Sequence, residues 1–426
     1  MTKQAVKVCI RTRPTADFAQ KNLGIDPAAG KIKMMFEKNA DAGLINNQTD
    51  AWTFNFEKLL HNASQDETYE SSAAEIIQSV VEGYNGTVMC YGQTGAGKTY
   101  TMTGSQTVFK YRGIVPRAIN QVFALTNQKF DQAITIRVSY AEIYNEQIRD
   151  LLPGEGGGHS TNLQISDDQK GGCVVRGLSQ HVCDGEEDAL NCLFEGELDR
   201  TTGATALNAA SSRAHTIFTI YIESRSRVES ADKVTFSKLH LVDLAGCERT
   251  KKSDSQGIRL TEAQSINKSL SFLEQVVLAL SDKKREHIPY RQAKLTNFLR
   301  DSLGGNCKTV MIANVWPEQR HLEEMSSTLK FATRMMKVSN EATVNILTDP
   351  SLQIKRYEKE IRDLKQELAM HDTLSNRGRI NYASYNQKEQ GEIQNVALDF
   401  LNGERDDIGD IDSLRKVREV FSCIRN

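Results

Sequence analysis

Among its 426 residues the chain has no run of about 18 apolar side chains, the length a bilayer-crossing helix needs. Its start passes straight into the strand-like Lys7-Val8-Cys9-Ile10-Arg11 with no apolar signal core. A secreted or membrane-spanning protein is therefore not expected, and the cytoplasm is the expected compartment. The eight cysteines (Cys9, Cys90, Cys173, Cys183, Cys192, Cys247, Cys307 and Cys423) are scattered, without a CxxC pair or metal-ligand spacing, so they read as reduced thiols. Charge of one sign is also missing: 53 Lys and Arg against 55 Asp and Glu leave a net charge of -2. No nucleic-acid partner is expected, but bulk charge does not decide it: attraction to any acidic polymer has to come from local clusters of Lys and Arg. With 39% hydrophobic and 25% charged residues the chain can still bury a sizeable core and stay dissolved.

From Val6 to about Leu347 short β-branched runs alternate with amphipathic stretches, the rhythm of a sheet covered by helices on both faces. The strongest strand candidates are Thr87–Tyr91, Ile134–Val138, Ile217–Ile222, Leu239–Val242 and Val310–Ala313. Asp184 followed by Glu187 predicts a capped helix start and a helix to about Arg200, while Gly154–Gly158 and Gly171-Gly172 mark loops. Beyond Pro350, Ile354, Tyr357, Ile361, Leu364 and Leu368 recur at three and four residues, a short heptad-like helix. Two heptads are too few to hold a coiled coil alone, so docking on the main domain and dimerisation both stay open. A polar stretch follows, then the amphipathic patterns Ile393/Val396/Ala397/Phe400 and Ile411/Leu414/Val417/Val420/Phe421, each expected to fold onto something.

Gly92-Gln93-Thr94-Gly95-Ala96-Gly97-Lys98-Thr99 fits G-x-x-x-x-G-K-[ST] and follows an apolar strand candidate, the context a phosphate-binding loop requires. Glycines let backbone N–H groups turn toward phosphates, Lys98 can reach the β and γ oxygens, and Thr99 offers a hydroxyl to Mg²⁺. A plain Gly-rich turn is the bland alternative. Such a loop needs an acidic partner at a buried strand end to hold the water shell of the metal, and Leu239-His240-Leu241-Val242-Asp243 supplies one. Asp243 alone would pass for a turn residue, but Leu244-Ala245-Gly246-Cys247-Glu248 completes an Asp-x-x-Gly segment, in which the Gly246 N–H can approach a γ-phosphate and leave after hydrolysis. A GTPase shares these two features. It would also carry N-K-x-D or T-K-x-D, and Asn267-Lys268-Ser269-Leu270 and Thr250-Lys251-Lys252-Ser253 both miss the Asp, so ATP is preferred.

Together with Asn208-Ala209-Ala210-Ser211-Ser212-Arg213-Ala214-His215, these segments resemble the three nucleotide-sensing segments of kinesins. Arg11-Thr12-Arg13-Pro14 is similar to the family's adenine-contacting segment, and Tyr100 stands at its base-stacking position. Glu142-Ile143-Tyr144-Asn145-Glu146, His287-Ile288-Pro289-Tyr290-Arg291 and Leu295 to Asn306 are also family-like, so the resemblance runs from residue 5 to about 347. It implies a P-loop NTPase of the kinesin-motor fold, an α/β protein with a central mostly parallel or mixed sheet flanked by helices on both faces. It implies a motor domain over 1–337, a neck linker over 338–350, a neck helix over 351–371 and a polar segment with two short helices over 372–426. Nucleotide (ATP or ADP) would be held by Arg11, Arg13, Pro14, Gln93, Thr94, Gly95, Ala96, Gly97, Lys98, Thr99, Tyr100, Asn208, Ser211, Ser212 and Asp243, with Thr99, Ser212 and Asp243 around Mg²⁺. Catalysis would rest on Lys98, Ser212, Arg213, Gly246 and Glu248, with an Arg213–Glu248 ion pair closing the site and Glu248 orienting the attacking water.

The sequence departs from the family pattern at Ala214 and Cys247, where Ser is usual. A missing hydroxyl at 214 predicts slow or strongly filament-dependent turnover. Cys247 is small and should be tolerated. Lys251, Lys252, Lys268, Lys283, Lys284, Arg285, His287, Arg291, Lys294 and Arg300 match the family's microtubule-facing elements, which implies salt-sensitive binding to acidic tubulin. Val338 to Ile346 resembles the neck linker, with Asn345 at the latching position and Thr2 to Ala5 as its partner strand. That order implies plus-end-directed stepping. His371-Asp372-Thr373-Leu374 and the stretch to about Lys388 resemble the flagella-associated kinesin-nine class, which implies a ciliary or axonemal place of work. A homodimer is a separate expectation for the full-length protein. A non-motile scaffold ATPase on microtubules is the alternative function.

Overall fold

In the computed structural model the described residues are 3–36, 51–154, 158–167, 172–205, 213–227, 233–248, 258–282, 284–348, 350–374, 385–409 and 414–425. The chain opens with β1 (Gln4–Ala5), β2 (Lys7–Thr12), β3 (Leu23–Asp26), β4 (Lys31–Met35), β5 (Ala51–Asn55) and β6 (Lys58–Leu60). Helices α1 (Gln65–Ser72) and α2 (Ala74–Val81) lead into β7 (Gly86–Tyr91), the short α3 (Lys98–Met102) and α4 (Ile114–Thr126). Next come β8 (Gln132–Tyr144), β9 (Gln147–Asp150), β10 (Gln164–Asp167), β11 (Cys173–Arg176), β12 (His181–Cys183) and α5 (Glu186–Thr205). Two long strands, β13 (His215–Ser226) and β14 (Lys233–Asp243), precede α6 (Ile258–Ser281), α7 (Lys294–Phe298), β15 (Lys308–Val315) and α8 (Leu322–Met335). The remainder is β16 (Ser339–Asn340), β17 (Ile346–Thr348), α9 (Pro350–Leu374), α10 (Gln387–Leu401) and α11 (Leu414–Arg425).

The main sheet runs β12-β8-β13-β14-β7-β15-β2-β6, with β9 added to β8 and β17 to β14. It is mixed: β14, β7, β15, β2 and β6 are parallel, whereas β12, β8, β13 and β14 pair antiparallel. All five strand candidates fall inside its strands. Side-chain alternation divides two cores across it. Val88 and Cys90 of β7 and Val310 and Ile312 of β15 face one core with α2, α4 and α5; Met89, Met311 and Ala313 face the other with α6, α7 and α8. Helices thus cover both faces, as the alternating pattern requires.

Helix α5 exists where expected but starts differently: the Asp188 carboxylate accepts from the Asp184 and Gly185 N–H groups, and the helix runs on to Thr205. Two compact units result, Met1–Leu347 and Thr348–Asn426. Within the second, α10 begins with a capping box between Asn386 and Glu389 and packs against α11, with Ala397 and Val420 buried. The two amphipathic patterns therefore fold onto each other, although Ile411 lies outside the described residues. The apolar stripe of α9 stays open to solvent, its five residues being 49% to 57% exposed.

Candidate nucleotide site and its surroundings

The C-terminal ends of parallel strands β7, β14 and β15 meet at one edge, where an open α/β sheet leaves a crevice for a ligand. Gly92 leaves β7 at φ +145, and a side chain there would run into the Asn314 carbonyl of β15. Gly95, at φ +81, would bring a Cβ to 2.7 Å from Cζ3 of Trp316. Only glycine fits these two places, so the loop curls tightly before α3 begins at Lys98.

Lys98 is buried and donates from Nζ to the Gln93 carbonyl at 3.0 Å, bridging the loop it belongs to. The Thr99 hydroxyl donates to Asp243 Oδ2 at 2.6 Å. Register explains this contact, because Asp243 is the last residue of β14 and stands opposite Cys90 of β7. Asp243 is buried, and its Oδ1 has no hydrogen-bond partner among the described residues. A buried carboxylate oxygen left over beside a threonine hydroxyl is a donor set that fits a hard divalent cation with retained water. Arg200, within the C-terminal half of α5, puts NH2 3.8 Å from Asp243 Oδ2 and NH1 3.6 Å from Glu197 Oε1. Burial works against the Arg200 charge, but Tyr140, Asp243, Glu197 and Glu142 outweigh it and raise its pKa.

Glu248 closes onto the phosphate loop. Its Oε2 accepts from the Thr94 N–H at 2.8 Å and its Oε1 from the Thr94 hydroxyl at 2.7 Å. Between them lies Gly246, where a Cβ would collide with both the Thr94 hydroxyl and the Glu248 carboxylate. Cys247 donates its N–H to the Gly92 carbonyl at 3.3 Å. The loop and the Asp-x-x-Gly segment are thus in direct contact. Behind them His215 is fully buried: the Ala245 N–H donates to Nδ1 at 3.0 Å, so Nε2 carries the proton and donates to Ser269 of α6 at 2.8 Å. Burial first, then the Lys98 charge, push its pKa down to about 3.

Beside the loop a pocket of about 140 Å³ is lined by Arg11, Arg13, Pro14, Tyr100, Lys110 and Tyr111, among others. Arg11 is held by Gln65 and Thr101, each 2.9 Å from NH1, while Arg13 donates to the Gly95 carbonyl. Sequence segments 90 residues apart therefore wall one cavity. Ala96 is buried in the loop, Gln93 contacts His321 at 3.0 Å, and Arg213 is half-buried just ahead of β13. Asn208, Ser211 and Ser212 lie outside the described residues. Arg200, Gln65, Lys110 and Tyr111 were not singled out from sequence: each reaches the site from a helix or loop without a local motif.

Of the basic residues, Lys268, Lys284, Arg285 and His287 are exposed, and Lys251, Lys252 and Lys283 lie outside the described residues. Arg291 and Arg300 share Asp167 at the end of β10, both at 2.8 Å, and Lys294 Nζ donates to Gln164 at 2.7 Å. The Asp167 carboxyl is held below the usual carboxylate range, chiefly by the Arg300 hydrogen bond. Further along, β16 pairs with β1, and Asn345 is fixed by its N–H to the Gly83 carbonyl at 3.1 Å, by Nδ2 to Asn85 Oδ1 at 3.0 Å, and by Oδ1 accepting from Asn306 at 2.8 Å.

The family model described as "Kinesin motor domain" matches residues 11–338. The chain belongs to the kinesin motor-domain family. It is 46% identical to the kinesin-like protein KIF9 of Mus musculus and 47% identical to the kinesin-like protein KLP1 of Chlamydomonas reinhardtii, in both cases over 100% of this chain and 54% of the relative. These two likenesses agree with the kinesin-nine resemblance. This kinesin chain spans about half the length of those relatives. A solved KIF14 dimer with AMP-PNP in complex with a microtubule superimposes with a TM-score of 0.69 at 35% identity, covering 81% of this chain and 97% of that one. The mixed sheet with helices on both faces is therefore the kinesin motor fold. No described helix of this kinesin is long and apolar enough to cross a membrane.

Proposed function

We propose that this chain is an ATP-hydrolysing microtubule motor. The observation that carries the proposal is the convergence of Thr99, Asp243, Gly246 and Glu248 on one phosphate loop. Thr99 and Asp243, joined by Ser212, would hold Mg²⁺, which when bound neutralises phosphate charge. Lys98 gives up the Gln93 carbonyl for phosphate oxygens, and the pocket between Tyr100 and Arg11-Thr12-Arg13-Pro14 takes the base. Gly246 reads the third phosphate through its N–H. Glu248 and Arg213 pair when the site closes, leaving the carboxylate to orient the attacking water. Catalysis of this kind is mostly positioning and charge neutralisation.

Glu248 shares a segment with Ala245, which His215 ties to α6, the helix bearing Lys268. A change at the phosphate therefore has a packed route to the basic face, which meets acidic tubulin. The linker over 338–348, fixed at Asn345 and paired through β16 to β1, supports a docked lever and plus-end movement. Work on an axoneme and pairing through α9 in a longer protein belong to the same proposal.

ATP turnover with and without microtubules, followed by gliding of polarity-marked filaments over a surface coated with the protein, tests it. Stimulated turnover with plus-end-directed gliding is expected. Stimulation without gliding makes the chain a filament scaffold, and preference for GTP over ATP removes the base assignment.

A further inference from the structure

The end of β15 does more than complete the sheet. Its Asn314 carbonyl lies under Gly92, and Trp316, the residue after the strand, presses on Gly95 in the middle of the phosphate loop. Three groups crowd the indole of Trp316: the Arg13 guanidinium at 4.1 Å from the ring centroid, the His321 ring at 4.2 Å and the Arg320 guanidinium at 5.2 Å. His321 in turn contacts Gln93 of the loop, and Arg13 donates to the Gly95 carbonyl while its own N–H donates to the Val315 carbonyl at 2.9 Å. Arg13 is exposed at the rim of the base pocket. A long cationic side chain in that position would sample many rotamers without a face to rest on.

We propose that Trp316 is a positioning residue for nucleotide: one indole fixes the middle of the phosphate loop and holds Arg13 over the pocket beside it. It touches no phosphate or base itself. It acts through Gly95 and Arg13, so its loss loosens both the loop and the base wall and speeds departure of the bound nucleotide. The inference rests on the nucleotide assignment of the site and adds to it a residue outside the motifs that carry that assignment.

Trp316 and Trp52 are the two tryptophans of the chain, and Trp52 lies in β5 with Lys330 over its ring, so a Trp52→Phe background leaves Trp316 as a single reporter. In that background the emission of Trp316 is expected to change when Mg²⁺ and ADP are added and to return at the rate of ADP release. In otherwise wild-type protein, Trp316→Ala is expected to raise the dissociation constant of a fluorescent ADP analogue by roughly three- to tenfold, the loss of one cation–π and packing contact. The KM for ATP should rise by more than kcat falls. Trp316→Phe, which keeps an aromatic face, should recover most of the affinity, and a matching melting temperature excludes a folding defect. Equal ADP affinity and release rate in wild type and Trp316→Ala overturn the clamp. Failure of the wild-type protein to bind ADP at all overturns instead the nucleotide assignment on which it rests.

Discussion

Glu248 and His215 each join a backbone N–H to a side-chain hydroxyl, Thr94 serving Glu248 with both and Ala245 and Ser269 serving His215. The two hydrogen bonds from Thr94 to Glu248 fix the carboxylate to which the proposed mechanism gives the attacking water, so Glu248→Ala removes that positioning without touching the Lys98 or Asp243 contacts. ATP binding should persist while turnover drops by about 100-fold or more, read as a nucleotide-binding titration beside steady-state hydrolysis. Equal losses in both would mean that Glu248 only holds the fold together. His215 acts through its neutral form. Its pKa is depressed from 6.5 to about 3, so the unfolded chain binds the proton more readily, and stability present above pH 6.5 is lost as pH falls. At pH 5 that share is about 2 kcal/mol. His240, buried against Thr219, is depressed in the same direction and keeps its share in either protein. Melting temperature should therefore fall less between pH 7 and pH 5 in His215→Gln than in wild type; parallel curves would remove His215 as the source.

At the level of elements, two junctions bear on the proposed motor function. Gly83 follows α2 at φ +101, and a Cβ there would strike Thr235 of β14 and come within 2.9 Å of Val344 in the linker. Gly83→Ala should cost the fold roughly 1–3 kcal/mol through backbone strain, and the added Cβ against Val344 penalises in addition only the arrangement in which the linker lies there. Gliding should slow several-fold while microtubule-stimulated hydrolysis stays near wild type, since the site itself is untouched; a matching loss of hydrolysis would place the effect elsewhere. The second junction is the β10–β11 hairpin against α7, where Asp167 occupies Arg291 and Arg300. Asp167→Asn should tighten microtubule binding at low salt and steepen its salt dependence, as the exposed Arg291 becomes available to tubulin while Arg300 stays on the Gly172 carbonyl. Weaker binding would make Asp167 a brace for the surface and not its competitor. Elements with period-2 or glycine signals, such as β7, β14 and the loop between β7 and α3, were legible from sequence. The reach of Arg200 from α5 to Asp243 was not, because a helix register says nothing about a strand end that joins it only in three dimensions. Nor was the sharing of Arg291 and Arg300 with Asp167, since a run of basic residues reads as an open face until the hairpin is set against it. The Asp184–Glu187 pattern predicts a capped start, but the helix opens at Glu186 and it is Asp188 that reaches back from the first turn to the Asp184 and Gly185 N–H groups.

For the whole molecule, the division at Leu347 separates chemistry from appendage. Both hydrophobic cores end at or before Val338, and the nucleotide site, the β10–β11 junction and the Asn345 latch all lie before the division. The second unit has its own small core at Ala397 and Val420, while the α9 stripe of Ile354, Tyr357, Ile361, Leu364 and Leu368 is exposed. A net charge of -2 over the full chain gives no bulk attraction to an acidic filament, so the microtubule binding proposed above is assigned to the local basic residues of the first unit. Ending the chain after Thr348 should therefore leave the melting temperature within about 3 °C of the longer chain, the shift expected for a change of no more than about 1 kcal/mol in a domain of this size. Microtubule-stimulated hydrolysis should survive, and its salt dependence should be unchanged. A shortened chain that melts far lower, or that keeps basal turnover but loses stimulation by microtubules, would show that α9 to α11 hold the first unit in its active form.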